Sequence, residues 1–182
     1  MSHRVLVLLA PGFEEIEAVT PIDLLRRADA QVIVASTESQ LLVTGRSGIS
    51  IQADLTLPEV IDQDFDLLVL PGGPAVFDLR EKPRILDLIR RLHFANVPIG
   101  AICAAPLLLH DAGILKDADR FTAHGSTAEE LPDLISDSST IVSGNLITSR
   151  GAGTAVSFGL SLVEKLYGSE KALAVQESVH AS

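Results

Sequence analysis

Tryptophan is absent, and tyrosine, methionine and cysteine occur once each in the 182 residues. With aromatic residues at only 4%, the core has to be built from Leu, Ile, Val and Ala, which suits strands covered on both faces. One cysteine, Cys103, makes no internal disulfide, which points to a reducing compartment, the cytoplasm. A metal site has no support either, because one Cys and scattered His residues lack ligand spacing.

Positive charge is also scarce. Fourteen Lys and Arg against 24 Asp and Glu leave a formal net charge of -10. A surface of that sign repels phosphate backbones, so no nucleic acid is expected as a partner. No polybasic patch suggests a membrane surface, and no apolar run is long enough to span one. The Val5–Ala10 run lacks a signal-peptide layout and reads as a buried first strand. Hydrophobic residues at 47% against 21% charged residues indicate a globular chain.

What is present is alternation. Strands are expected at Arg4–Leu9, Gln31–Ala35, Asp66–Leu70, Val97–Ile102 and Leu146–Ser149. Helices are expected at Glu14–Ala28, Pro83–Phe94, Ala104–Ala112, Thr154–Tyr167 and Glu170–Ser178. That order predicts an α/β fold with a doubly wound parallel sheet. Leu41–Ala53 reads as a small antiparallel hairpin at one edge, through Thr44-Gly45 and Ser47-Gly48. The irregular stretch Asp119–Asn145 is expected to hold short strands at Arg120–Ala123 and Thr140–Ser143. No linker or repeat interrupts the chain, so one domain over residues 1–182 is expected.

Ligands of open parallel sheets bind beyond the carboxyl ends of the strands. Three loops of unusual composition fall there: Pro11-Gly12-Phe13-Glu14-Glu15, Pro71-Gly72-Gly73-Pro74 and Cys103-Ala104-Ala105. Gly100-Ala101-Ile102-Cys103-Ala104-Ala105 runs from a strand straight into a helix with small residues around the Cys, the logic of a nucleophile elbow. Pro106 fits early in the helix, where its missing N–H has no intrahelical partner to lose. Helix-terminal N–H groups would favour thiolate over thiol. The other reading is a buried structural cysteine, a common fate of free Cys.

The remaining candidates are less specific. Gly72 and Gly73 permit a turn that points an N–H at the site, which with the Ala104 N–H would form an oxyanion hole; a plain turn explains them equally. Glu14, Glu15 and Glu17 are explained by capping of the first helix. Any one of them held near a thiolate would stay protonated and move a proton, and periodicity does not say which. Among five histidines, His124 in Thr122-Ala123-His124-Gly125 is the best placed as a base, against a purely structural role. Arg150-Gly151-Ala152-Gly153-Thr154 opens a helix with glycines but has neither P-loop nor dinucleotide spacing, so it reads as a closely packed helix start.

Four collinear blocks carry a resemblance. They are Leu9–Ala18, Val69–Gly73, Ala101–Pro106 and Leu146–Thr154. Together they resemble the ThiJ/PfpI superfamily, in the branch of the Parkinson-disease-associated protein deglycase and bacterial ThiJ-like proteins. The resemblance implies a flavodoxin-like sandwich, related to class I glutamine amidotransferase domains, that works without a cofactor and forms a homodimer. It assigns the nucleophile to Cys103 and the protonated carboxyl to Glu17. It further implies Gly73 and Ala104 as oxyanion-hole donors and places His124 near the site.

The departures narrow the function. Ala104 stands where the protease-like branch has a His after the nucleophile, so peptidase activity is disfavoured. His180-Ala181-Ser182 cannot supply the late His-x-Glu of an amidotransferase. An Arg that the branch carries in the hairpin falls at Ser47, with Arg46 one position away, and a one-residue shift in a strand reverses the face. Two functions are therefore expected. One is cysteine-dependent chemistry on a small aldehyde or dicarbonyl (methylglyoxal to lactate) or on glycated protein; the other is a redox-sensing, chaperone-like stress protein whose Cys103 is oxidised to sulfinic acid.

Overall fold

A computed structural model describes residues 2–181, so the two ends of the expected 1–182 domain lie outside the described residues. In chain order the strands are β1 (Arg4–Leu9), β2 (Gln31–Ser36), β3 (Leu42–Thr44), β4 (Ser50–Gln52), β5 (Leu55–Thr56), β6 (Leu67–Leu70), β7 (Ile99–Ile102), β8 (Thr140–Ser143) and β9 (Leu146–Ser149). The helices are α1 (Glu15–Arg27), α2 (Leu57–Val60), α3 (Ala75–Arg80), α4 (Pro83–Phe94), α5 (Pro106–Asp111), α6 (Ala155–Tyr167) and α7 (Ser169–Ser178).

Seven strands form one sheet in the order β5-β2-β1-β6-β7-β9-β8. All pairings are parallel except β8 with β9. The runs that lack polar alternation take the centre: β6, β7 and β9 are buried at every residue, as strands covered on both faces must be. Helix α4 shows the complementary pattern. Its buried residues Ile85, Leu88, Ile89 and Leu92 recur at helical spacing and leave a charged outer face. Each such side chain contributes about 1.5–3 kcal/mol by leaving water. Helices α1 and α6 pack against each other, and α4 packs against α5.

The expected α/β architecture is present, with local differences. The hairpin of β3 and β4 is a sheet of its own and adds no strand to the main one. Backbone bonds from Gly12 N–H to Thr44 O and from Arg46 N–H to Phe13 O tie it to the loop after β1. Arg120–Ala123 is not a strand. Thr122 N–H donates to the Thr148 hydroxyl instead of a backbone carbonyl, so the segment runs beside β9 without entering its ladder. Helix α5 begins at Pro106, because Cys103-Ala104-Ala105 forms a turn first.

Register then places the loops. Leu70 pairs with Ala101, and Ile102 pairs with Ser149. Strands β6, β7 and β9 therefore end nearly level, and Pro71–Gly73, Cys103 and Arg150–Thr154 emerge side by side.

Candidate active site

Cys103 sits at φ +66, a left-handed conformation uncommon outside glycine. Its backbone is pinned from both sides. Its N–H donates to Ser149 O at 2.9 Å, extending the β7–β9 ladder, and its carbonyl accepts from His124 N–H at 2.8 Å. Strain of this kind, about 1–3 kcal/mol, persists only where the surroundings over-determine it. Ala104 and Ala105 are buried next to it and leave no side chain to block the turn. The thiol is half-buried.

Glu17, on the first turn of α1, is 1% exposed and meets the thiol. Its Oε2 accepts Gly72 N–H at 2.9 Å, while its Oε1 is buried without a hydrogen-bond partner. The approach depends on glycine. A Cβ at position 72 would lie 2.5 Å from Glu17 Oε2 and 2.6 Å from Cys103 Cβ. Gly73 has φ +93, and a Cβ there would lie 2.6 Å from Gly12 O. That conformation turns its N–H toward the thiol, which the Ala104 N–H also reaches.

Burial, with a smaller addition from the Glu14 carboxylate, pushes Glu17 up to about 7, against the bonds from Cys103 and Gly72 and the charge of Arg46. Burial and the Glu17 charge push the Cys103 thiol up to about 12, against the Gly73 and Ala104 N–H groups. Two touching acids resist ionising together, so the pair keeps one proton between those values. The helix-terminal lowering expected for the thiol is thus overridden. Helix α5 has six residues and starts three positions later, too short and too far to outweigh burial beside a carboxylate. A thiolate at neutral pH therefore requires the thiol's proton to pass to Glu17.

Glu15 and Glu14 have other duties. Glu14 caps α1, its carboxylate accepting Glu17 N–H at 2.8 Å. Glu15 turns under the hairpin, where its Oε1 accepts Ser47 N–H at 2.7 Å and Ile49 N–H at 3.4 Å. Burial raises its carboxyl, but these bonds and its own backbone N–H bring it below the ordinary carboxylate range. The hairpin question is answered by position: Ser47 contributes its backbone N–H to Glu15, while the exposed Arg46 lends its charge to Glu17.

His124 reaches the site by its backbone, and its ring borders a cleft of about 360 Å³ with Gly125, Arg150, Gly151, Ala152, Gly153 and Thr154. The cleft and Glu17 meet at Gly151, where a Cβ would stand 3.6 Å from His124 Cδ2 and 3.9 Å from Glu17 Oε1. Hydroxyls set the loop between them: Ser149 Oγ lies 2.7 Å from Thr154 Oγ1, which accepts Gly151 N–H at 3.1 Å. Ser126, Ser149 and Thr154 were not singled out from the sequence. Only the His-x-Ser spacing at 124–126 hints at a turn closed on a side chain. Among the described residues, no group of His, Cys, Asp and Glu is arranged to hold a metal ion, and no helix is long and apolar enough to cross a membrane.

A match to the DJ-1/PfpI family covers residues 3–165. The chain belongs to the DJ-1/PfpI family. Within it, the chain is 38% identical over 174 residues to Protein DJ-1 homolog A of Arabidopsis thaliana, covering 94% of this chain and 44% of that protein. The chain thus spans less than half the length of that plant relative. It is 36% identical over 170 residues to the glutathione-independent glyoxalase DJR-1.2 of Caenorhabditis elegans, covering 91% of this chain and 90% of that one. The deglycase PfpI of Pyrococcus furiosus is 32% identical over 152 residues, covering 82% of this chain and 91% of that one. The crystal structure of Drosophila melanogaster DJ-1beta superposes with a TM-score of 0.95 at 36% identity, covering all of both chains. Membership in the DJ-1/PfpI family accounts for the four sequence blocks, which are the strand ends and helix starts that surround Cys103.

Proposed function

We propose that this chain is a cofactor-independent glyoxalase and deglycase with Cys103 as nucleophile. The observation that carries it is the contact of a strained, half-buried thiol with a buried carboxyl whose affinity for a proton is raised into the neutral range. Relatives named as a glyoxalase and a deglycase support the reaction class.

With the shared proton on Glu17, the thiolate adds to the aldehyde carbon of methylglyoxal and forms a hemithioacetal. The N–H groups of Gly73 and Ala104 stabilise the oxyanion, which then takes up a proton. Removal of the proton from the former aldehyde carbon gives an enediol, and its return at the neighbouring carbon gives a thioester. Water cleaves the thioester, so one dicarbonyl and one water become one lactate and the thiol is restored. Glu17 moves the proton, with His124 beside it. In an early adduct on a glycated side chain the former aldehyde carbon carries the side-chain nitrogen; the C–N bond breaks, the amine leaves with a proton, and the Cys103 sulfur bonds to that carbon to give the same hemithioacetal.

The protein acts in this reading as one domain in a cytoplasmic homodimer, a state supported by the exposed Ile16 and Val19 of α1 and Ile49 of the hairpin. The test is lactate formation from methylglyoxal by purified protein. Cys103→Ser is expected to lower kcat/KM by roughly a thousandfold or more. Equal rates for wild type and variant would sink the enzyme reading.

A second reading rests on the same pocket. The unpartnered Glu17 Oε1 and the Gly73 and Ala104 N–H groups also suit the oxygens of a sulfinic acid on Cys103, the state of a redox-responsive, chaperone-like protein. Intact mass after mild peroxide is expected to show two added oxygens on wild type and none on Cys103→Ser.

A further inference from the structure

The orientation of the His124 ring follows from a contact that the reaction scheme leaves unused. His124 Nδ1 accepts the backbone N–H of Ser126 at 3.2 Å and stands 2.8 Å from Ser126 Oγ. A backbone N–H can only donate, so Nδ1 holds a lone pair there, and in the neutral ring the proton resides on Nε2. Cδ2, the ring atom bonded to Nε2, lies toward Gly151, and the ring borders the cleft lined by Arg150–Thr154. Arg150, which also lines that cleft, donates its Nη1 to Ser136 O at 3.0 Å. The imidazole therefore borders the cleft carrying a hydrogen, while the unpartnered Oε1 of Glu17 also lies near Gly151.

We infer that Ser126 is a positioning residue that locks His124 in the Nε2–H tautomer, so that the ring donates a hydrogen bond to the substrate's second carbonyl oxygen and does not act as the base. The inference rests on the proposed dicarbonyl chemistry and divides its labour. Glu17 takes and returns the proton, whereas His124 holds the ketone oxygen next to the carbon attacked by Cys103. It also specifies the substrate class at this position: a group with an accepting oxygen beside the aldehyde, as in α-oxo aldehydes, in preference to a simple aldehyde.

Two measurements test it. Nitrogen-15 spectra of the histidine-labelled full chain, assigned by the signals lost in His124→Gln, are read at about pH 8.5, above the ordinary imidazole range. Wild type is expected to show a protonated Nε2 and an unprotonated Nδ1; a protonated Nδ1 overturns the inference. In steady-state turnover of methylglyoxal, His124→Gln, which keeps a donor and removes the imidazole base, is expected to retain about tenfold more kcat/KM than His124→Ala. Equal losses in the two variants identify a base and overturn the donor role. Ser126→Ala is expected to raise KM about fivefold to tenfold with a smaller change in kcat, and Ser126→Thr to restore it. A Ser126→Ala enzyme with wild-type KM overturns the positioning role, and a purely structural effect would lower the melting temperature without moving KM. If wild type makes no lactate, the proposed function fails, while the nitrogen shifts still decide the tautomer.

Discussion

Glu15 and Glu17 stand two residues apart on the first turn of one helix, both buried, and the protein uses them in opposite ways. On the hairpin side, Glu15 meets backbone N–H donors from Ser47 and Ile49, and its carboxylate is held below the usual range. On the thiol side, Glu17 has one backbone donor and an acidic neighbour, and its carboxyl is pushed up to about 7. The difference lies in depth of burial and in the supply of donors: Glu17 is the more deeply desolvated and meets the fewer N–H groups. A carboxylate surrounded by N–H groups is a structural anchor; one deprived of them becomes a proton carrier.

The largest way to break the contrast is to remove the raised carboxyl. Glu17→Gln is expected to lower kcat/KM for methylglyoxal by about a hundredfold to a thousandfold, in line with general acid–base contributions. Glu15→Gln, which keeps an acceptor for the hairpin, is expected to change the same lactate assay less than tenfold. Comparable losses in both would show that the carboxylates are not divided between roles.

Stability sharpens the contrast in the other direction. Glu15→Ala removes the charged acceptor of the Ser47 and Ile49 N–H groups and is expected to cost about 1–3 kcal/mol in urea unfolding. The pH dependence has opposite signs on the two sides. Glu17, raised in the fold from 4.5 to about 7, binds its proton more tightly folded than unfolded, so stability falls as pH rises through that window. Glu17→Gln removes that fall. Glu15, lowered in the fold, contributes stability that is present above its unfolded value and lost as pH drops through its folded one. Unfolding midpoints of the two Gln variants between acid and neutral pH are expected to separate accordingly.

The smallest expected effect is spectroscopic. Thiolate absorbance in wild type is expected to rise in two stages, because the pair loses one proton near 7 and the next toward 12. In Glu17→Gln the like charge is gone, so a single stage below the upper one is expected. Persistence of the upper stage would mean that Glu17 does not hold the thiol's proton.

Much of this frame was legible without coordinates. All-apolar runs such as Leu67–Leu70 admit only a doubly covered strand, and the small residues around Cys103 admit only a tight turn. Arg120–Ala123 misled because the segment packs inward, with Thr122 and Ala123 buried, yet its Thr122 N–H is satisfied by a side chain, which periodicity does not reveal. The thiol's affinity for its proton misled for a related reason. A nearby helix start is visible in sequence, whereas burial beside a second acid is a property of packing.

By itself the sequence determined the parallel sheet, the loops at its carboxyl edge and Cys103 at the strand-to-helix turn, because backbone preference and hydrophobic period act over a few neighbouring residues. The tertiary structure alone decided which glutamate meets the hairpin and which meets the thiol, and that Ser47 offers its N–H to Glu15. Those outcomes depend on donors that arrive from the hairpin and from the loop after β6, tens of residues away along the chain. No local pattern records them, since only the register of the sheet brings them to the same few ångströms.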